Sequence, residues 1–189
     1  MTPKEYLAWY VEATKSLPMI HSISPEYSSP SEYYLKNGSE FESQSLTSDE
    51  KEYLKLLPIA ECLKKMCYQN AQRLLLFFPP RGDKKKMQLQ YIEGYATNGI
   101  LPVQHAWLSL NGKVVDPTFG PLDSLFRRKH RILGEFPPNF KYFGVVVSES
   151  HIREFIFNHQ IWSSIVDDFM CNYPLLTKKS CQKRSEQRK

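Results

Sequence analysis

Apolar and polar positions along the chain change period several times, and each change predicts an element. Tyr6, Leu7, Tyr10, Val11 and Leu17 suit a short amphipathic helix within residues 1–20, ended by Pro18. Residues 21–47 are rich in Ser, Pro, Glu and Tyr without a sustained period, so they read as a long loop or surface segment. Thr47-Ser48-Asp49-Glu50 offers a hydroxyl cap followed by acids, and Tyr53, Leu54, Leu56 and Leu57 give the helix that follows an apolar stripe up to Pro58. A second helical pattern then runs to Phe78, carrying Cys67, Ala71, Leu74, Leu75 and Phe78, and Pro79-Pro80 stops it. Residues 81–87 form a charged turn.

Beyond this point the period shortens to two. Residues 88–96 alternate as a strand, Thr97-Asn98-Gly99 turns, and a further strand begins after Pro102. Asn111-Gly112 lies between apolar runs and predicts a two-residue hairpin, because both residues accept the positive φ of a type I′ turn. That register pairs Leu110 with Lys113, Leu108 with Val115 and Trp107 with Asp116. It places His105, Trp107 and Asp116 on one face, with His105 and Asp116 diagonal neighbours about 7–8 Å apart at the backbone. Residues 117–140 contain Pro, Arg and Gly and read as irregular; Lys141–Val147 is a fourth strand, and Ser148 or Ser150 caps a helix with Ile152, Phe155 and Ile156. A short apolar piece, Ile161–Met170, closes the domain. The pattern is α+β, an antiparallel sheet packed against helices. It divides into a helix and long loop over 1–47, the main domain over 48–176, and a tail over 177–189.

Composition narrows the function classes. At 189 residues and 41% hydrophobic the chain can bury a core, and no stretch approaches the roughly 18 apolar residues of a membrane span. Met-Thr-Pro-Lys-Glu-Tyr has no basic region followed by an apolar run, so a cytoplasmic protein is expected. The formal charge of +5 belongs to the tail, where Lys178, Lys179, Lys183, Arg184, Arg188 and Lys189 stand against Glu186 alone. The folded part is therefore neutral overall, and a nucleic-acid partner is expected only through the tail. Cys62, Cys67, Cys171 and Cys181 lack both a disulfide framework and zinc spacing, so free thiols and no metal are expected.

An acid that orients a histidine is half of a nucleophilic site. Cys67, on the helix before the sheet, supplies the other half. If that helix restarts near Met66, its unpaired N–H groups favour a thiolate and can hold an oxyanion; if it runs unbroken from Ile59, Cys67 sits mid-helix without that help. Cys62 is the rival thiol, without the Asn-Ala that follows Cys67.

Cys67-Tyr68-Gln69-Asn70-Ala71, Tyr91-Ile92-Glu93-Gly94-Tyr95, His105-Ala106-Trp107 and Asp116-Pro117-Thr118 resemble a group of small bacterial and phage proteins of the papain/transglutaminase-like superfamily. The resemblance covers residues 60–147. It implies the thiol-enzyme fold and a Cys67/His105/Asp116 triad, without implying a substrate. Cys67 would attack a carbonyl, and His105 would move the proton. Asn70 would tie the helix to the neighbouring strand, Glu93 would line the cleft or form a salt bridge, and Trp107 would shield the His–Asp bond from water or serve as plain core. The expected function is a cysteine hydrolase acting on an amide of a protein or peptide, including a glutamine side chain, with no cofactor. The competing expectation is an inactive binding protein that keeps the fold and holds a protein partner.

Overall fold

Asn111 and Gly112 adopt φ values of 52° and 84°, and the turn they make sets the register of a five-stranded antiparallel sheet. The computed structural model describes residues 1–15, 23–63, 65–82, 85–119 and 140–177. The elements are α1 (Pro3–Thr14), α2 (Pro30–Asn37), β1 (Ser39–Phe41), α3 (Ser48–Lys55), α4 (Cys67–Phe77), β2 (Leu89–Thr97), β3 (Val103–Leu110), β4 (Lys113–Val115), β5 (Lys141–Val147) and α5 (Glu149–His159). The spatial strand order is β1-β5-β2-β3-β4. Leu110 pairs with Lys113 and Leu108 with Val115, the register the hairpin predicts.

Helix starts follow local chemistry. Thr2 and Glu5 form a capping box on α1, Thr47 and Glu50 form one on α3, and Ser29 and Ser148 cap α2 and α5. Each such cap contributes about 1 kcal/mol. Glu50 also accepts from Lys113 Nζ at 2.8 Å and from Asn111 Nδ2 at 2.8 Å, so the cap of α3 fastens that helix to the hairpin. Burial opposes ionisation of Glu50, but the bonds from Lys113, Asn111 and the Thr47 N–H outweigh it and hold its pKa down at about 2.

The two faces of the sheet carry different cores. Tyr91, Leu108, Phe143 and Val145 pack with Leu74 and Leu75 of α4 and Ile152 and Phe155 of α5. On the other face Ile92, Ala96, Trp107, Val114 and Tyr142 gather with Phe41, Phe119 and Phe140. Trp107 lies over Gly144, where an added Cβ would come within 2.8 Å of the indole. A glycine there is what lets the largest side chain of this face lie flat on β5.

One expectation is corrected and one alternative is decided. Residues 21–47 are not a plain loop: α2 follows its Ser29 cap, and β1 pairs with β5 at Ser39–Gly144 and Phe41–Tyr142. Of the two alternatives for the helical pattern between Pro58 and Phe78, the restart near Met66 is the one found. A single 3-10 turn at Ile59–Glu61 precedes an irregular link, and the helix begins at Cys67. Pro18, most of the irregular stretch after Thr118 and the basic residues of the tail lie outside the described residues. Among the described residues no helix is long and apolar enough to cross a membrane.

Candidate active site

Cys67 is the first residue of α4, which settles its place at a helix N-terminus. Met66 at the N-cap makes no side-chain bond to the first turn, and that turn holds no acid. The side chain of Cys67 is half-buried, and it is free of any disulfide.

His105, on β3, is buried, 3% exposed. Its Nε2 lies 2.7 Å from Asp116 Oδ2, just past the end of β4. The Cys67 side chain adds to the pull of Asp116 that holds a proton on the ring. The hairpin thus brings His105 and Asp116 together, 38 and 49 residues beyond Cys67 in the chain.

Asp116 is itself held rigidly. Its Oδ1 accepts the N–H groups of Thr118 and Phe119, both at 2.8 Å, and Oδ2 accepts the Tyr142 hydroxyl at 3.1 Å. Burial together with the adjacent carboxylate keeps the Tyr142 hydroxyl protonated, far above its usual pKa, so it remains a donor. The imidazole feels opposing influences. Burial disfavours its charged form, but the charge and hydrogen bond of Asp116, followed by those of Cys67, prevail and push its pKa up to about 10. The site therefore favours a proton on His105.

Aromatic rings exclude water around this pair. Phe119 stacks on the imidazole with centroids 4.1 Å apart and planes 12° apart, and the Trp107 ring lies nearly parallel at 6.2 Å. Trp107 is fully buried, consistent with both shielding and core. Its Nε1 has no partner among the described residues.

Asn70 is a fastening, although not to a strand. Its side chain accepts from the N–H of Leu63 at 3.0 Å, donates to the Leu63 carbonyl at 2.7 Å, and donates to Thr118 Oγ1 at 2.9 Å. Among the described residues Glu93 neither lines a pocket nor forms a salt bridge. It is fully buried, and its carboxylate accepts from Tyr91 at 2.9 Å, Ser164 at 2.6 Å, the N–H of Ile165 at 2.8 Å and the N–H of Val166 at 3.2 Å. Burial raises its pKa above the usual carboxylate range against those donors. Glu93 thereby pins the segment after α5 to the centre of the sheet.

The sequence reading missed Tyr142 and Phe119. Strand alternation offers a signal for Tyr142, since it shares a face with Ile92 and Trp107. Phe119 follows the Asp-Pro-Thr motif directly but sits in a stretch without periodicity. Cys62 is half-buried and lines a small pocket with Asn70, Arg73 and Leu74. Of the other histidines, His151 bonds the Ser148 cap and His159 packs on Phe155, while His21 and His130 lie outside the described residues. Comparison with protein-family models, with curated proteins and with solved structures finds no match.

Proposed function

We propose that the protein is a cysteine-dependent hydrolase that cleaves an amide bond through an acyl-enzyme on Cys67. The observation that carries this reading is the 2.7 Å bond from the His105 ring to the buried carboxylate of Asp116, with Cys67 at the uncapped start of α4 adding to the rise in the ring's pKa. A thiol at a helix start, a histidine on a strand and an acid after the next strand also match what the papain/transglutaminase-like resemblance implies, and the fold is read accordingly. The reduced thiols such a reaction needs fit a cytoplasmic location.

Each residue has one task. With the proton of the pair held on His105, the thiolate sulfur of Cys67 bonds to the amide carbon. The uncapped N–H groups at the start of α4 hold the oxyanion. As the tetrahedral adduct collapses, the C–N bond breaks and His105 returns the proton to the leaving amine. Water, deprotonated by His105, then attacks the thioester, releasing the acid and restoring the thiol. Asp116, fixed by Thr118, Phe119 and Tyr142, keeps the ring in one orientation throughout.

The test is alkylation of Cys67 by iodoacetamide near pH 7, followed by peptide mapping. Cys67 should react faster than Cys62, and His105→Ala should slow it by about a hundredfold. If Cys62 and Cys67 react alike and His105→Ala changes neither, the chemistry is excluded, leaving a binding protein with this fold.

A further inference from the structure

Four consecutive residues assemble one side of the site. Asp116 supplies the acid, Pro117 stiffens the turn, Thr118 ties it to Asn70, and Phe119 lays its ring on the imidazole of His105. The acid itself closes the turn, since Asp116 Oδ1 accepts the N–H groups of both Thr118 and Phe119 at 2.8 Å. Phe119 therefore meets both members of the pair, the carboxylate through its backbone and the imidazole through its ring. Centroids 4.1 Å apart and planes 12° apart put the two rings face to face. Phe140 packs against Phe119 at 78°, with centroids 6.0 Å apart.

What such a stack does depends on the charge of the ring it covers. Dispersion between the two faces is alike for imidazole and imidazolium, so by itself it leaves the proton where it was. The quadrupole of a benzene ring is different: its face is negative and attracts a cation within about 6 Å of the centroid. Phe119 is well inside that range, whereas Trp107, nearly parallel to the imidazole at 6.2 Å, is at its limit. His105 is buried and Phe119 half-buried, so little water screens the attraction. The titratable groups around the imidazole come from three elements: Asp116 after β4, Cys67 at the start of α4, and Tyr142 on β5, which acts through Asp116 Oδ2. Asp116 bonds Nε2 at the ring's edge and Phe119 covers its face, so substitution can separate the two influences.

We propose that Phe119 is a positioning residue for the reaction, its ring face holding His105 as the imidazolium while its backbone N–H orients Asp116. The catalytic consequence rests on the reading of Cys67 as the nucleophile: the imidazolium balances the charge of the thiolate and is the acid that protonates the leaving amine. The hold on the His105 proton is a property of the stack and stands apart from that reading.

The experiment replaces Phe119 in the full-length protein with phenylalanines bearing one, two or three ring fluorines, and titrates the His105 ring by heteronuclear NMR. Fluorine withdraws charge from the ring face while barely changing its shape, so the packing is kept. His105→Gln identifies the signal among the five histidines. The His105 pKa should fall step by step across the series, by about one pH unit in all. Phe119→Leu, apolar but without a π face, should lower it as well, and Phe119→Tyr, which keeps the face, should titrate like the wild type. A pKa that stays level across the fluorine series, or that drops as far in Phe119→Tyr as in Phe119→Leu, overturns the proposal. If it stays level while iodoacetamide alkylation of Cys67 still depends on His105, the stacking role alone fails. If it falls as expected while alkylation is indifferent to His105, the stack is upheld and the nucleophile reading fails.

Discussion

The Asn70 side-chain amide donates to Thr118 Oγ1 at 2.9 Å and so joins the start of the helix that bears Cys67 to the turn that holds Asp116. The same side chain closes both backbone groups of Leu63, and Thr118 donates its own N–H to Asp116. One buried amide therefore ties the start of α4, where Cys67 sits, to the turn after Asp116. Asn70→Ala should destabilise the fold by about 2–3 kcal/mol, since it leaves buried partners unsatisfied. Thr118→Val, which removes only the cross-link, should cost about 1 kcal/mol yet also slow alkylation of Cys67. Urea unfolding and alkylation rates check both, and unchanged values for Asn70→Ala would contradict the role.

His105 makes stability depend on pH in a definite direction. Its pKa is raised from 6.5 to about 10, so the folded chain binds this proton more tightly than the unfolded one. The resulting contribution is fully present below pH 6.5 and drains away as pH rises through about 10. Denaturant unfolding of the wild type and of His105→Gln at pH 6, 8 and 10 should show the wild-type advantage shrinking with pH. An advantage that grows over that range would mean the ring is held neutral.

The partners of Asp116 can be separated by substitution. Tyr142→Phe removes one of four donors and should slow Cys67 alkylation only a few-fold, with a stability cost of about 1 kcal/mol. Asp116→Asn removes the charge and the control of the tautomer, and should cost roughly two orders of magnitude or more in rate. Comparable effects from the two substitutions would show that Asp116 acts as a structural anchor rather than on the ring.

What could be read in the sequence was whatever nearby residues determine. Asn111-Gly112 specifies its own φ angles, so the pairing of β3 with β4 and the meeting of His105 with Asp116 follow from fourteen consecutive residues. The start of α4 could not be read the same way, because Met66 supplies no capping side chain to mark it. The helix α2 had a local signal, Ser29-Pro30 followed by Glu32, masked by a loop-like composition. The three-residue strand β1 had none: its pairing partner, β5, lies about a hundred residues onward. Glu93 is the same kind of case, since the donors that explain its burial come from residues 164–166, some 71 to 73 positions away.

Asp167 is a half-buried acid whose ionisation works against the fold. Its pKa is raised from 3.8 to about 6, so the folded state holds the proton more tightly, and stability falls as pH rises between those values. Its neighbours are Asp168, which repels its charge, and the Gln104 amide, which donates to Oδ2 at 2.8 Å and favours it. No cation among the described residues offsets the cost. Asp167→Asn should therefore be more stable than wild type at pH 7, by about 1 kcal/mol after solvent screening, and little different near pH 3.5. Urea midpoints at the two pH values decide it. A variant less stable than wild type at pH 7 would make Asp167 a structural acid, satisfied from within by Gln104 and its own turn.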